Sequence, residues 1–202
     1  MNLSQLTLQE FTLNELLSIY EIYGTQFFPA DELKPSAAIK RLYEQGTYRG
    51  FGLYHTAPDR YLAGYALFVC SPALSGALLD YYAVLPQYRN DGIGGLGLSL
   101  LQKQFTDTSG IYIESENPAY AHTDAEREIQ NRRIGFYERN GAKKTGAKSR
   151  LFGVSYEILY LGCQNAFHSI PAEQHVQNVD AIYRAMFSEK HYREDVVLLP
   201  AT

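Results

Sequence analysis

A glycine-rich segment between a strand pattern and a helix pattern is the feature that most constrains the fold of this chain. The segment, YRNDGIGGLG at residues 88–97, contains two overlapping motifs, R-x-x-G-x-G from Arg89 and G-x-G-x-x-G from Gly92. A strand pattern, ALLDYYAVL, precedes it at residues 77–85, and apolar spacing predicts a helix from Gly92 to about Phe105. Both motifs predict a loop with little side-chain bulk at a helix start, where backbone N–H groups can bind an anion.

The spacing of this segment decides between the two motifs. In a dinucleotide-binding fold the strand runs almost directly into the first glycine, whereas here six residues, Pro86 to Asp91, intervene. A longer loop suits a diphosphate site in which the N–H groups from Arg89 to Gly94 point at the ligand. Gly92 and Gly94 would let the ligand approach, and Arg89 would add a positive charge. The alternative is that the glycines only allow the helix to pack closely against the sheet.

Composition and charge narrow the class of protein. The chain has 202 residues, 46% of them apolar, which suits a single domain spanning residues 1–202. With 18 basic and 22 acidic residues it has no electrostatic signature of nucleic-acid or anionic-membrane binding, so the expected partners are small molecules or proteins. The sequence lacks a signal-peptide pattern and an apolar stretch of about 20 residues, which predicts a soluble, cytoplasmic protein. Cys70, Cys163 and the five histidines lack metal-ligand spacing, so no metal site is expected.

Hydrophobic periodicity predicts a mixed α/β architecture. The strands on either side of the helix that follows the glycine segment should be parallel, because a right-handed crossover joins them. A capping box at Thr123 and a stop at Asn140-Gly141 mark one later helix at both ends. The predicted helices are 12–26, 36–44, 92–105, 123–140 and 176–187, and the predicted strands are 48–55, 61–69, 77–85, 111–114 and 151–161, with a hairpin turn at Ala57-Pro58-Asp59. The expected result is a mixed sheet with helices on both faces.

Three segments of the chain together match a known pattern. VLPQYRNDGIGGLGLSLL, residues 84–101, resembles the acetyl-CoA-binding motif of the GNAT superfamily of N-acetyltransferases. IESENP and RRIGFYERNGA, residues 113–118 and 132–142, are similar to that family's next strand and its F-Y-x-x-x-G-[FA] helix end. The resemblance covers roughly residues 48–161. It implies an α/β (α+β) fold with a mixed, mostly antiparallel sheet, a central splayed parallel strand pair and helices on both faces.

The resemblance also implies an activity and a set of cosubstrate contacts. The activity is direct acetyl transfer from acetyl-CoA to a primary amine, without a covalent acyl-enzyme; the alternative is a non-catalytic acyl-CoA-binding module. Main-chain groups of Val84 and Leu85 would pair with the pantetheine amides, and one N–H would polarise the thioester carbonyl. The diphosphate contacts would come from Arg89, Asn90, Asp91, Gly92, Ile93, Gly94 and Gly95.

This chain departs from the family pattern at three positions. Asp91 stands where a basic or neutral residue is common, and we expect its side chain to face outward and cap the following helix. Asn90 replaces a common glycine, a mild change because asparagine tolerates left-handed geometry. Gln130 aligns with a frequent asparagine seven residues before the family's tyrosine, and the adjacent Asn131 is the asparagine assigned to the cosubstrate.

The acid and base candidates complete the predicted site. Tyr137 falls on the family's tyrosine, which can donate a proton to the departing thiolate. Free amines are mostly ammonium near neutral pH, so the reaction needs a base, and three carboxylates are candidates. Asp80 matches a position where some family members carry an acidic base, whereas Glu114 and Glu116 share a face of the next strand. The sequence leaves open the identity of the amine acceptor and whether the chain forms a homodimer.

Overall fold

The structure, a computed structural model, describes residues 5–29, 32–56, 59–163 and 170–199. Its helices are α1 (Leu13–Phe27), α2 (Ser36–Glu44), α3 (Ile93–Gln104), α4 (Asp124–Arg139), α5 (Ala172–Met186) and α6 (Glu189–Asp195). Its strands are β1 (Leu6–Glu10), β2 (Tyr48–His55), β3 (Tyr61–Val69), β4 (Ala77–Val84), β5 (Gly110–Glu116), β6 (Lys143–Leu151), β7 (Val154–Gly162) and β8 (Val196–Leu199). The chain divides into two compact units, unit 1 with residues 1–71 and 80–101 and unit 2 with residues 72–79 and 102–202.

Unit 1 contains strands in the order β1-β2-β3-β4. Strands β1 and β2 are antiparallel, as are β2 and β3. Helix α1 begins with a capping box between Thr12 and Glu15, and it buries Leu16 and Tyr20, which lie one turn apart. Ile93 at the start of α3 is also buried, in a cluster that packs Val84 at the end of β4. The glycine-rich loop therefore joins two elements that are both anchored in the core of this unit.

Unit 2 contains residues 77–79 of β4 and all of β5, β6, β7 and β8. The strand order in this unit is β4-β5-β7-β6-β8. Strands β4 and β5 are parallel, with Ala77 opposite Ile111 and Leu79 opposite Ile113. The β5–β7, β7–β6 and β6–β8 pairs are antiparallel. The predicted mixed, mostly antiparallel sheet with one parallel pair is confirmed. The single-domain prediction stays a prediction, since strand β4 contributes to both units.

Most predicted elements agree with the structure, with shifted bounds in some. The strand predicted over 151–161 is β7, which begins only at Val154, because Phe152 and Gly153 adopt positive φ angles of 48° and 87° and turn the chain between β6 and β7. Strands β1, β6 and β8 and helix α6 were not predicted. The capping box at Thr123 is confirmed, and so is the left-handed stop at Gly141, whose φ is 93°. Two residues of the predicted hairpin turn, Ala57 and Pro58, lie outside the described residues.

Both cysteines are buried, as expected for small apolar side chains. Cys70 is 4% exposed and Cys163 is 3% exposed, and burial raises the pKa of both thiols, that of Cys70 to about 11. Neither thiol is therefore poised as a nucleophile. Across the four described ranges, the helices are too short or too polar for any of them to cross a membrane.

Candidate functional site

The glycine-rich loop of unit 1 has the backbone geometry of an anion site. Asn90 and Gly92 both adopt left-handed φ angles, of 70° and 79°, and the predicted tolerance of Asn90 for this conformation is confirmed. Gly92 lies at the open end of α3, because its carbonyl accepts the N–H of Leu96 at 3.1 Å. The loop from residue 89 to 92 is exposed. Backbone that alternates in this way forms a concave group of N–H donors, which the helix N-terminus reinforces.

Another glycine of the segment is required for packing. A Cβ atom at Gly97 would lie 2.4 Å from the Tyr82 hydroxyl and 2.8 Å from Cδ1 of Leu53. The Tyr82 hydroxyl donates to the Gly94 carbonyl at 2.6 Å, which ties the first turn of α3 to β4. The last glycine of the G-x-G-x-x-G motif therefore brings α3 close to the strands, so this overlap with the dinucleotide motif has a packing origin.

Arg89 is held against the strand that precedes it. Its Nε donates to the Val84 carbonyl at 2.9 Å, and its guanidinium lies 5.4 Å from the centre of the Phe27 ring. The terminal Nη groups make no hydrogen bond within the described parts of the chain. The side chain is therefore oriented by the protein while two of its nitrogens remain available to an anion.

The main-chain groups predicted to contact pantetheine are only partly available. The Leu85 N–H donates to the Ala63 carbonyl at 2.9 Å, so this amide is already engaged within unit 1. The Val84 carbonyl accepts Nε of Arg89. Leu85 is therefore a poor source of the N–H that would polarise a thioester carbonyl.

Asp91 is exposed, as expected, but it does not cap the helix. Its side chain makes no hydrogen bond to any residue that the structure describes. Because Gly92 supplies the first carbonyl of α3, the cap position lies one residue later than the sequence suggested. An exposed carboxylate next to the loop is largely screened by solvent, so its negative charge is a small obstacle to anion binding.

Asp80 is the predicted base candidate that lies in unit 1, and it is part of a buried ion pair. Oδ1 lies 2.6 Å from Nζ of Lys34, and Oδ2 accepts the Tyr48 hydroxyl at 2.5 Å. The Asp80 and Lys34 side chains are only 7% and 18% exposed. The neighbouring Tyr81 holds the same segment, since its hydroxyl accepts the Lys34 N–H at 3.1 Å and donates to the Glu32 carbonyl at 2.8 Å. The ion pair and the Tyr81 hydrogen bonds therefore fix the segment before α2 against β4.

Glu114 is the half-buried carboxylate of β5 in unit 2. Its Oε1 accepts the Ser149 hydroxyl at 3.0 Å and also the hydroxyl of Tyr183. Ser149 is 1% exposed and Tyr183 is completely buried. Burial, together with the negative charge of Glu114, raises the pKa of Tyr183 well above its usual range, so this tyrosine remains a donor. Neither Ser149 nor Tyr183 was predicted from the sequence, because Ser149 lies in a polar segment and both residues are far from Glu114 along the chain.

Glu116 lies at the end of β5 and lines a cavity. Its Oε2 pairs with Nη1 of Arg133 on α4 at 3.0 Å, and its side chain is 28% exposed. The cavity lies entirely within unit 2 and has a volume of about 630 Å³, within the range of small-molecule sites. Its lining includes Glu116, Ile129, Gln130, Arg150, Val197 and Leu199. Glu116 is therefore accessible, but its charge is compensated by an arginine.

Comparison with known proteins identifies the fold. No family model matches the sequence, and no curated protein matches it. A protein from Bacteroides thetaiotaomicron described as a GNAT-family acetyltransferase matches with a TM-score of 0.65 at 18% identity, covering 86% of this chain and 93% of that one. The ribosomal-protein-S18-alanine N-acetyltransferase of Escherichia coli matches with a TM-score of 0.53 at 19% identity, over 82% and 98% of the two chains. The fold is that of the GNAT acetyltransferases.

A third solved structure of similar fold contains bound ligands. It is the spermidine N-acetyltransferase of Vibrio cholerae in complex with CoA and spermine, which matches with a TM-score of 0.52 at 13% identity, over 82% of this chain and 99% of that one. At these identities the likeness establishes the fold, and the ligands and substrates belong to those proteins.

The resemblance to the GNAT family predicts that α4 contributes a tyrosine and a side-chain amide to the site. The two candidate amides, Gln130 and Asn131, differ in burial. Tyr137 is 8% exposed, its hydroxyl makes no hydrogen bond inside the described ranges, and burial raises its pKa to about 12, although Arg133 acts in the opposite direction. Gln130 is also 8% exposed, and its Oε1 is buried without a hydrogen-bond partner in the described chain. Asn131 is exposed to solvent. Gln130 lies at the position that aligns with the family's asparagine. Its buried Oε1 can therefore accept a hydrogen bond that no described residue supplies.

Proposed function

We propose that this protein is an acetyl-CoA-dependent N-acetyltransferase that transfers an acetyl group directly to a primary amine. The observation that carries the proposal is the exposed loop with left-handed Asn90 and Gly92 at the start of α3. A diphosphate needs several N–H donors on a concave surface, and a helix N-terminus next to alternating backbone supplies them. The GNAT fold supports the same assignment.

Acetyl-CoA supplies the activated acetyl group, and unit 1 supplies the anion site for its diphosphate. The amides of Ile93, Gly94 and Gly95 at the first turn of α3 would donate to it, together with the Nη groups of Arg89. The residues fit this ligand because the Arg89 side chain is oriented by the Val84 carbonyl before any anion arrives. Asp91 would remain in solvent, beside the site and outside the contacts.

Glu114 is the carboxylate that we favour as the base. A base must present its carboxylate to the amine in one orientation, and two buried hydroxyls fix Oε1 of Glu114. Asp80 and Glu116 are instead held by the side chains of Lys34 at 2.6 Å and Arg133 at 3.0 Å. Proton transfer from the ammonium form of the acceptor to Glu114 would give the neutral amine that attacks the thioester.

Tyr137 is the proposed acid for the departing thiolate. With a pKa raised to about 12, its hydroxyl stays protonated throughout the working pH range, and it has no competing hydrogen bond to a described residue. Gln130 takes the role first assigned to Asn131, because its buried Oε1 would accept an N–H from the cosubstrate. The Leu85 N–H already donates to the Ala63 carbonyl. The hydrogen-bond donor to the thioester carbonyl would therefore be another main-chain N–H of β4.

The first experiment is calorimetric titration with acetyl-CoA, with NADH as the control titrant. We expect micromolar binding of acetyl-CoA and no binding of NADH. Gly92→Ala should weaken acetyl-CoA binding by about tenfold, because a Cβ would fill the surface that the diphosphate approaches. Gly46→Ala is the matched control, since Gly46 also has a left-handed φ of 70° and lies at the end of α2 with open space around it. Equal losses in both variants would overturn the anion-site assignment.

The second experiment measures thiol release from acetyl-CoA with a panel of amines. The panel contains spermidine and a peptide with an N-terminal alanine, because relatives by fold act on such amines. Release that depends on the amine supports the proposal, and Tyr137→Phe should then bind acetyl-CoA normally and turn over slowly. Binding without any transfer would favour the alternative, a non-catalytic acyl-CoA-binding module.

A further inference from the structure

Two buried hydroxyls from distant parts of the sequence converge on one oxygen of Glu114. Tyr183 on α5 is 69 residues away along the chain and Ser149 on β6 is 35 residues away, and both donate to Oε1. Both donors are inaccessible to solvent, at 0% and 1% exposure. A buried hydroxyl needs a partner, and these two satisfy theirs on the same carboxylate.

We infer that Tyr183 and Ser149 are positioning residues, which keep the Glu114 carboxylate ionised and in one orientation so that it can accept a proton from the amine. The inference rests on the role of Glu114 proposed above. Hydrogen bonds donated to an ionised carboxylate favour that form over the protonated one. The same two bonds fix Oε1 against α5 and β6, which sets the direction in which the second oxygen of the carboxyl group points.

The donors themselves do not titrate in the working range. Burial raises the pKa of Tyr183, and the nearby charge of Glu114 raises it further, while a serine hydroxyl does not ionise in water near neutral pH. Glu116 is paired with Arg133, and Tyr156 lies opposite Glu116 on β7. Titratable or charged side chains on the elements beside β5 include Arg133 on α4, Lys148 and Arg150 on β6, Tyr156, Glu157 and Tyr160 on β7, and His175, Asp180 and Arg184 on α5.

Unit 2 offers a matched control for the tyrosine. Tyr112, also on β5, is completely buried, and its hydroxyl lies 2.9 Å from Nδ2 of Asn178 and 3.0 Å from Nδ1 of His175, both on α5. Tyr112→Phe and Tyr183→Phe therefore remove the same atom from the contact between α5 and β5. Only the second substitution removes a donor from Glu114.

The test is a titration of the Glu114 carboxyl carbon by ¹³C NMR in protein labelled at glutamate. Comparison with Glu114→Gln identifies the resonance. We expect the midpoint to rise by about one pH unit in Tyr183→Phe and by a similar amount in Ser149→Ala, because each variant loses a donor to the ionised form. Tyr112→Phe should leave the midpoint within about a third of a unit of the unsubstituted protein.

Unchanged midpoints in folded Tyr183→Phe and Ser149→Ala would overturn the inference, and so would an equal rise in Tyr112→Phe. If one of the two variants does not fold, the other decides, because each removes one donor from the same oxygen. The NMR titration needs no substrate, so its result stands even if the amine panel shows no turnover and the proposed function fails. Where turnover is found, the acidic limb of kcat/KM should move upward with the NMR midpoint.

Discussion

Asp80 in unit 1 and Glu114 in unit 2 are both strand carboxylates, and different donors hold them. Each accepts a hydrogen bond from a buried tyrosine, Tyr48 in the first case and Tyr183 in the second. The other oxygen of Asp80 also lies 2.6 Å from the ammonium of Lys34. The second donor to Glu114 is the hydroxyl of Ser149.

The partner of a carboxylate decides what the carboxylate can do. Asp80 pairs with the poorly exposed Lys34 ammonium, and removing one partner of such a pair costs about 3–5 kcal/mol. Asp80 is therefore suited to anchor the segment before α2. The Ser149 and Tyr183 hydroxyls carry no charge, so protonation of Glu114 would leave no uncompensated charge on either of these two donors. The same residue type thus supports a structural role in one unit and a chemical role in the other.

Glu114→Gln is expected to have the largest effect, and it acts on catalysis. The amide cannot accept a proton from the amine, so kcat should fall by roughly 10³-fold, within the range for loss of general base catalysis. The fold should be retained, because Oε1 of glutamine can still accept both hydroxyls. The measurement is thiol release from acetyl-CoA with an amine that the unsubstituted protein turns over.

The matched variant for that measurement is Glu116→Gln, which alters the neighbouring acid on the same strand. Its Arg133 partner is 46% exposed and can be solvated, so we expect little loss of kcat. If Glu116→Gln were the slower enzyme, the base would be Glu116, and the contrast between Asp80 and Glu114 would lose its chemical meaning.

Lys34→Met is expected to have the next largest effect, and it acts on stability. It leaves the poorly exposed Asp80 carboxylate without its counter-charge, which should lower the free energy of unfolding by about 3 kcal/mol and the melting temperature by roughly 6–12 °C. Thermal unfolding followed by circular dichroism measures it. The double variant Lys34→Met with Asp80→Leu should recover much of the loss, since it removes both charges. A single variant as stable as the unsubstituted protein would show that the ion pair is not an anchor.

The helices, the strands and the glycine-rich loop could be predicted where the residues that determine them are close together in the sequence. The strands over 48–55 and 61–69 and the helix over 36–44 agree with the predicted bounds, because each has a periodic apolar face. Strand β6, KKTGAKSRL, was missed because it is polar and is held by pairing with β7, and β8 has only four residues. The left-handed geometry of Asn90 was predicted because residue type and motif position act within one loop.

The partners of the carboxylates could not be predicted. Lys34 is 46 residues from Asp80, and Tyr183 is 69 residues from Glu114, so no local pattern joins either pair. Spacing and residue type are all that a sequence shows, so Asp80 was a base candidate together with Glu114 and Glu116. The role of each carboxylate depends on which side chains the fold places beside that carboxylate. The same reason explains the choice of Asn131 over Gln130, since burial separates them and spacing does not.

Tyr48→Phe sharpens the comparison with Tyr183→Phe. Tyr48 is 1% exposed, and its hydroxyl donates to the Asp80 carboxylate. Loss of a hydrogen bond to a charged group should lower the free energy of unfolding by about 1.5 kcal/mol, measured by urea denaturation. Because Lys34 still neutralises Asp80, the acidic limb of kcat/KM should not move. A shift of that limb in Tyr48→Phe would mean that Asp80 takes part in the proton transfer.

The smallest expected effect is an acid sensitivity of the contact between α5 and β5, which contains His175. The hydrogen-bond partners of the Asp80 carboxylate among the described residues are Lys34 and Tyr48. Burial lowers the pKa of His175 below its ordinary value of 6.5, so on acidification the unfolded chain binds a proton before the folded one does. Its contribution to stability is therefore complete above pH 6.5 and is lost as the pH falls below that value. Urea unfolding at pH 7.5 and 5.5 should show this loss, and His175→Gln, which cannot titrate, should reduce the difference between the two pH values. An unchanged difference in that variant would assign the acid sensitivity to other groups.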